Sequence, residues 1–449
     1  MTGRARILKL LGSIVSESKA DTTEILFIGN ESGLTRYANS QIHQNTAESD
    51  SKITFRVSVG KKIGTASTNT LEKGALSRCL ETAIEIAGHA RPNKYFMGIA
   101  DKIRPKNIKT YFESAARYTP AARAAVVGRI CRASSGMGLI ASGAFSTSAS
   151  EIAFVNSRGA ALYQPLTSAA INIVISSDSS SGYAQAVSRQ AEKIDFKSLT
   201  DIATQKCLLS LGPVTLEPGK YDVLLEPMAV ANLLEWLAFI GFGAVPYHDK
   251  TSFLSGKYNK RVMAPSVTIY DDGLDRSGVA FPFDFEGMAK SKVYFIKKGL
   301  AGRPVYDLQT AAKNKTKSTG HGMALGAATG PVPLNVFMLP GKKPVAKILK
   351  EIKRGVLVTR FHYINGFLDT PRALMTGMTR DGTFLIENGK IISGVKNLRF
   401  TESIIRAFSN IRAVSKETEL CDTWWSDIGC ISAPALHIKE FTFSGRTES

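Results

Sequence analysis

The 449-residue sequence predicts an α+β protein of two domains, an N-terminal antiparallel sheet with helices followed by a strand-rich C-terminal domain. Three observations carry that expectation. Segments that alternate apolar and polar residues recur through the first half, the pattern of half-buried antiparallel strands. Between them lie segments whose apolar residues have helical spacing. Two Pro and two Gly fall between Gly212-Pro213 and Glu217-Pro218-Gly219, which marks a boundary and gives domains at 1–212 and 213–449.

In chain order, the apolar run Ile7–Val15, broken by Lys9, reads as a first helix. Glu24–Ile28 reads as a strand ending in a turn at Gly29-Asn30, and Leu34–Ala38 and Ile53–Val59 alternate as strands. Gly60–Gly64 has the composition of a hairpin connection. Between Leu71 and Ala90, Leu76, Leu80, Ala83, Ile84 and Ala87 have helical spacing, stopped at Gly88 and before Pro92. Thr119-Pro120 opens a second helix to about Ser134, with proline early in the helix as expected. Strands follow at Gly138–Ser146, Ile152–Asn156, Ala160–Gln164 and Ala169–Ser176, with a turn at Asn156–Gly159 and a serine-rich loop at Ser176–Ser181. Past the boundary come a strand at Tyr221–Leu225, a helix at Met228–Ile240, and mostly strand and turn, with a further helix near Pro344–Arg354.

Composition excludes several classes. With 44% hydrophobic and 21% charged residues, the chain is neither disordered nor collagen-like. Five Cys, at 79, 131, 207, 421 and 430, form no CxxC pair and argue against a disulfide scaffold or a structural zinc knot. No run of about 18 apolar residues predicts a transmembrane helix. A cytoplasmic protein is expected. The surplus of 57 Lys+Arg over 38 Asp+Glu gives a net charge of +19, which attracts polyanions. Yet the clusters Lys342–Arg354 and Lys313–Lys317 lack the interleaved aromatics of a base-stacking platform. A solvated basic face, or a wall turned to an acidic partner, is the preferred reading over nucleic acid.

Candidate chemistry is sparse. The six His, at 43, 89, 248, 321, 362 and 437, show no paired spacing for a metal on a helix face. Ser318, Thr319 and His321 gather two hydroxyls and an imidazole in a glycine-flanked loop, where a turn or ligand contact is favoured over Ser/His catalysis. Asp271-Asp272 before Gly273 reads as an Asx-type turn. Asp284 and Glu286 share one face if Pro282–Gly287 is extended, with Phe283 and Phe285 on the other. They are candidates for substrate or structural contacts. Cys430 reads as a small buried hydrophobe. No GxSxG, GxGxxG or P-loop occurs in the required context.

In the second half, Pro282-Phe283-Asp284-Phe285-Glu286-Gly287, Lys298-Gly299-Leu300, Thr310-Ala311 and Ser318-Thr319-Gly320 follow one another in order. Leu339-Pro340-Gly341, Lys353-Arg354-Gly355-Val356-Leu357-Val358-Thr359 and Ile386-Glu387-Asn388-Gly389-Lys390-Ile391 come after them. Phe55-Arg56-Val57, Gly64-Thr65-Ala66-Ser67-Thr68 and Phe154–Ala160 precede them. The colinear series resembles the TldD/PmbA family across nearly the whole chain. TldD-type members of that family carry an HExxxH helix after the first strand of the C-terminal domain, with a cysteine near the C-terminus completing a metal site. Here the corresponding helix has Glu235 at the first His position, Trp236 at the catalytic Glu position and Ile240 at the second His position, with Cys430 near the third ligand. Neither Ile nor Trp can ligate a cation or act as a base.

The resemblance therefore implies a PmbA/TldE-type subunit with no catalytic or metal-ligating residues and no cofactor of its own. Zinc is expected in a TldD-type partner, held in a heterodimer that acts on unfolded peptides; a homodimer is the other arrangement. The rival readings are a self-sufficient hydrolase using Ser318 and His321, or Asp284 and Glu286, and a nucleic-acid-associated regulator. The latter rests on the charge and on the family's description as a modulator of DNA gyrase.

Overall fold

A computed structural model describes residues 1–323, 325, 330–422 and 429–446. Its N-terminal part is a six-stranded antiparallel sheet in the order β3-β2-β1-β4-β5-β6. The strands are β1 (Thr22–Ala38), β2 (Gln41–Val59), β3 (Lys62–Thr68), β4 (Ile140–Asn156), β5 (Ala161–Ser176) and β6 (Ser181–Ser188). Helices α1 (Arg4–Glu17) and α2 (Lys73–His89) bury Ile7, Leu11, Leu76 and Leu80 against Ile25, Phe27, Phe55 and Val57. The short α3 (Glu113–Ala116), α4 (Pro120–Ser135) and α5 (Phe196–Leu209) cover the far end of the sheet around Phe145, Ile171 and Ile173. Helix α4 starts where the sequence predicts, because Thr119 Oγ1 accepts from the Ala122 N–H at 3.1 Å and Pro120 occupies the first turn.

Two expected breaks are absent. β1 runs straight through Gly29-Asn30, with Gly29 opposite Ser51 on one side and Glu151 on the other. Pairing on both edges holds a glycine that would otherwise favour a turn. Likewise the predicted strands at 138–146 and 152–156 are one strand, β4, because the small polar run between them pairs with both β1 and β5.

The C-terminal part is an eleven-stranded mixed sheet. Its strands are β7 (Gly219–Leu225), β8 (Ile269–Asp271), β9 (Val293–Lys297), β10 (Leu300–Ala301), β11 (Asn335–Met338), β12 (Arg354–Asp369), β13 (Leu374–Glu387), β14 (Lys390–Gly394), β15 (Leu398–Ser403), β16 (Ile411–Cys421) and β17 (Cys430–Arg446). The path β7-β12-β13-β15-β17 returns to β7, since β17 also pairs antiparallel with it. Closure removes exposed edges from the centre of the sheet. Helix α6 (Pro227–Gly241) packs on β12 and β17, with ten of its fifteen residues buried, eight of them in the large core. Short helices α7 (Ala244–His248), α8 (Leu308–Lys313), α9 (Val345–Lys350) and α10 (Ile404–Ser409) decorate the rim. This is the expected α+β class, with the antiparallel sheet in the N-terminal part and the larger strand-rich sheet after it.

The two parts share a core. Leu26, Ile152, Phe154 and Leu162 from the first sheet pack with Phe281, Phe283 and Phe285 from the second. Burying each such aromatic contributes about 1.5–3 kcal/mol. Polar contacts cross the same junction. Arg189 donates to the Gly278 and Ala280 carbonyls, while Ser181 Oγ donates to Asp381 Oδ1 at 2.9 Å.

Candidate functional site

Helix α6 begins at Pro227 directly after β7 and is apolar on nearly all sides, so it lies sunk between the closed sheet and its rim. Asn232 Oδ1 accepts from the Phe361 N–H at 3.1 Å and fixes the helix on β12. Glu235 and Ile240 are both buried. Trp236 lies under the β12 segment at Gly366 and meets Phe367 edge-on at 5.3 Å between ring centroids. Glu235 and Cys430 line one crevice with Leu334, Val336 and Ile431. Its free volume is about 10 Å³, no more than a single water needs.

Cys430 sits at the start of β17, beside Asn335 of the parallel strand β11. Its sulfur accepts from the Val279 N–H at 3.3 Å and lies 3.5 Å from Asn335 Oδ1. Burial pushes its thiol up to about 12, so it stays protonated at neutral pH. Among the described residues, no three His, Cys, Asp or Glu side chains converge as a cation would require. A carboxylate and a protonated thiol do not fit a catalytic zinc ion, which needs three protein ligands and an open position.

The residues singled out in the sequence lie elsewhere, in two buried polar knots, the first where the sheets meet and the second within the C-terminal part. The first surrounds Arg56 on β2. Its Nε donates to Glu24 Oε2 at 2.5 Å and its NH1 donates to Glu286 Oε1 at 2.9 Å. Glu286 Oε2 also accepts from the Leu308 N–H at 2.8 Å, at the start of α8. Residues 284–287 form a turn instead of an extended strand, so Phe283 and Phe285 both reach the shared core. Asp284, 1% exposed, closes that turn by accepting from the Glu286, Met288 and Gly322 N–H groups.

Burial first, and then the Glu286 charge, raise Asp284 to about 7 against the pull of those three N–H donors. Burial is also the largest influence on Glu24, which is raised above the ordinary carboxylate range although Arg56 pulls it down. For Arg56, burial opposes the charge, but Glu24 and Glu286 together hold it above its usual range. Gly322 is required here by close approach: a Cβ would stand 2.5 Å from Glu286 Cγ.

The second knot has the connectivity of a nucleophile, base and acid. Thr319 Oγ1 lies 2.9 Å from His321 Nδ1, and His321 Nε2 lies 2.9 Å from Asp271 Oδ1. The hydroxyl is already committed, however, accepting from the Tyr306 N–H at 2.8 Å and lying 3.1 Å from the Tyr306 carbonyl. His321 is 1% exposed and Asp271 0%, so no substrate reaches them. Asp271 Oδ2 accepts from the Leu334 and Asn335 N–H groups. Burial works to raise Asp271, but the His321 interaction, Lys290 and the Asn335 N–H hold it below the ordinary range. Ser318 Oγ takes no part in this relay and donates to the Tyr306 carbonyl. The arrangement anchors the 318–322 loop to β8 and β11.

Sequence reasoning missed Asp271, because Asp271-Asp272 reads as one turn. Asp272 makes the Asx turn, accepting from the Leu274 N–H at 3.0 Å, while Asp271 ends β8 and points inward. Glu24 and Arg56 were also missed. They alternate with the apolar residues of β1 and β2 in the manner of a solvent face, and nothing local says that a second sheet covers them.

Comparison with known proteins follows the same outline. The family description "PmbA/TldA metallopeptidase C-terminal domain" matches residues 218–445, and "PmbA/TldA metallopeptidase domain 1" matches residues 23–87. The chain is 26% identical over 269 residues to a protein named metalloprotease TldD homolog from Buchnera aphidicola subsp. Acyrthosiphon pisum, covering 58% of this chain and 52% of that protein. To the protein of the same name from Buchnera aphidicola subsp. Schizaphis graminum it is 24% identical over 256 residues, covering 55% and 52%. The chain thus spans about half the length of the curated relatives it matches. Among solved structures, TldE from Thermococcus kodakarensis superposes with a TM-score of 0.88 at 18% identity, covering 97% of this chain and 100% of that one. A putative modulator of a DNA gyrase from Thermotoga maritima superposes at 0.86 and 19% identity, covering 97% and 99%. These superpositions establish the fold.

Proposed function

The chain belongs to the PmbA/TldD metallopeptidase family, and from that premise we propose that it is a TldE-like subunit without a metal site, working beside a metal-bearing TldD-type chain. The observation that carries this reading is the interior of α6. Where the family's motif places two imidazoles and a carboxylate, this helix has Glu235, Trp236 and Ile240, packed away from solvent or beneath Phe367. The neighbouring thiol of Cys430 is protonated, and the crevice beside it has no room for a peptide bond.

In this reading zinc resides in the partner, in a heterodimer, and the substrate is an unfolded peptide. A homodimer of this chain alone would have to find its hydrolytic group elsewhere. The serine–histidine loop does not offer one, since its hydroxyls are held by main-chain bonds. A cytoplasmic setting accords with five free, buried cysteines and, among the described residues, with no helix long and apolar enough to cross a membrane.

The test is to purify the chain alone and together with the TldD-type protein encoded nearest to it, then measure bound zinc and cleavage of an unfolded peptide. We expect zinc and chelator-sensitive cleavage in the co-purified pair and neither in the chain alone. Robust zinc-dependent proteolysis by the isolated chain overturns the proposal.

A further inference from the structure

A mainly apolar groove lies between the two sheets, at the first turn of α6, while the Cys430 crevice lies against its later turns. It has a volume of about 470 Å³ and runs along Tyr183–Val187 of β6. Helix α5, the first turn of α6 and strand β16 form its other walls. β6 is the last strand of its sheet, paired with β5 on one side only. The β5–β6 hairpin closes with the Ser177 N–H bonded to the Ser180 carbonyl. Antiparallel alternation then turns the main-chain groups of residues 181, 183, 185 and 187 outward. Two contacts agree: the Ser181 carbonyl accepts from Ser210 Oγ at 3.0 Å, and the Tyr183 carbonyl lies 3.4 Å from Lys206 Nζ. Beyond them, at Gln185 and Val187, no second strand pairs with the edge among the described residues.

The groove's charge is opposite to that of the molecule. On a chain of net charge +19, its walls carry Glu226, Glu417 and Glu419 against one cation, Lys206. Lys206 is committed to Glu226 at 2.5 Å, and Glu417 accepts from the Val345 N–H at 3.0 Å. Glu419 has no ion pair among the described residues. Glu419 is exposed at the groove's rim, and the protein packed around its carboxyl and then the Glu226 charge hold it above the ordinary range against the pull of Lys206. Apolar side chains Val187, Leu199, Ile202, Met228 and Leu420 flank these carboxylates.

An unpaired strand edge repeats donors and acceptors at the spacing of an extended main chain, which another polypeptide segment satisfies and a compact small molecule does not. An unpaired carboxylate between apolar walls selects a cation carried on an apolar stem. We propose that this groove binds an extended polypeptide segment bearing a lysine or arginine, added as a strand to β6, with its cation beside Glu419 and Glu226. The proposal deepens the peptide-handling part of the function above and rests on it, while requiring neither metal nor partner.

The test uses the full chain and two fluorescein-labelled peptides of alternating valine and threonine, identical except for a central lysine or glutamate, with affinity read by fluorescence anisotropy. We expect the lysine peptide to bind at least about tenfold more tightly, the factor that one modest ion pair supplies. Glu419→Gln lies at the rim and should remove most of that preference. Val187→Pro deletes an outward N–H without touching the β5 ladder and should weaken both peptides by about tenfold. Equal affinity for the two peptides, or full affinity in both variants, overturns the proposal. If the zinc-bearing pair cleaves an unfolded peptide while the unaltered chain binds neither labelled peptide, only this groove is refuted. If the pair shows no zinc-dependent cleavage while lysine-peptide binding persists, only the partner reading fails.

Discussion

Asp284 sets burial directly against hydrogen bonding. Three N–H groups stabilise its charged form, yet removal from water and the nearby Glu286 charge dominate and lift it to about 7. A carboxyl raised in the folded chain contributes its full stability below its unfolded pKa, near 4, and loses it as pH climbs through the folded value. Stability should therefore decline between about pH 4 and pH 7, by at most about 4 kcal/mol at roughly 1.4 kcal/mol per pKa unit. Glu24 adds in the same direction, whereas Asp271, which is lowered, affects only the range below its unfolded pKa. Urea unfolding at about pH 5 and about pH 8 measures the decline; equal midpoints would contradict the raised Asp284. Arg56 gives a sharper contrast. Arg56→Met strands Glu24 and Glu286 in the interior and should cost about 3–5 kcal/mol. Ser318→Ala removes only loop hydrogen bonds and should cost about 1 kcal/mol. Comparable losses in the two variants would mean that the ion bridge is not the stronger element of the junction.

At the scale of elements, α6 and the β12 segment above it act as one packed unit. Gly366 allows the strand to approach Trp236 so closely that an added Cβ would stand 2.5 Å from the indole Cε3. Gly366→Ala should therefore destabilise by about 1–3 kcal/mol through overpacking and change the near-UV signal of the indole environment. An unchanged near-UV spectrum and unfolding midpoint would show that the strand rides freely over the helix. The helix itself was legible in the sequence, since its apolar run between Met228 and Ile240 has few other uses. So were α2, from its spacing and stop signals, and α4, from its Thr119 cap and Pro120. The continuity of β1 through Gly29 and of β4 through its serine-rich middle was not legible, because it depends on strands far away in sequence pairing on both sides. The same physics hid Asp271 and Arg56: their roles arise from long-range contacts that no neighbouring residue announces. Asp284, Glu286 and His321 stood out as unusual residues, and the structure gives them buried anchoring contacts that sequence spacing could not distinguish from chemistry.

At the scale of the molecule, the question is whether the two sheets fold as separate bodies joined by the 212–219 segment. The junction argues for one cooperative unit. Phe281, Phe283 and Phe285 come from the C-terminal part but complete a core with Leu26, Ile152 and Phe154 from the N-terminal part. Arg56 reaches across to Glu286, and Arg189 donates to the Gly278 and Ala280 carbonyls, so separation would expose apolar area and leave charged groups unpaired together. All three tryptophans, at 236, 424 and 425, lie after the boundary, so fluorescence follows the C-terminal part while hydrogen exchange in β1 and β4 follows the other. We expect the two probes to trace one unfolding transition. Phe285→Ala, which hollows the shared core, should cost about 3–5 kcal/mol and move both transitions equally. If fluorescence shifts while exchange in β1 and β4 keeps its original midpoint, the parts unfold independently. The shared aromatic cluster would then be a contact between two autonomous bodies and not a common core.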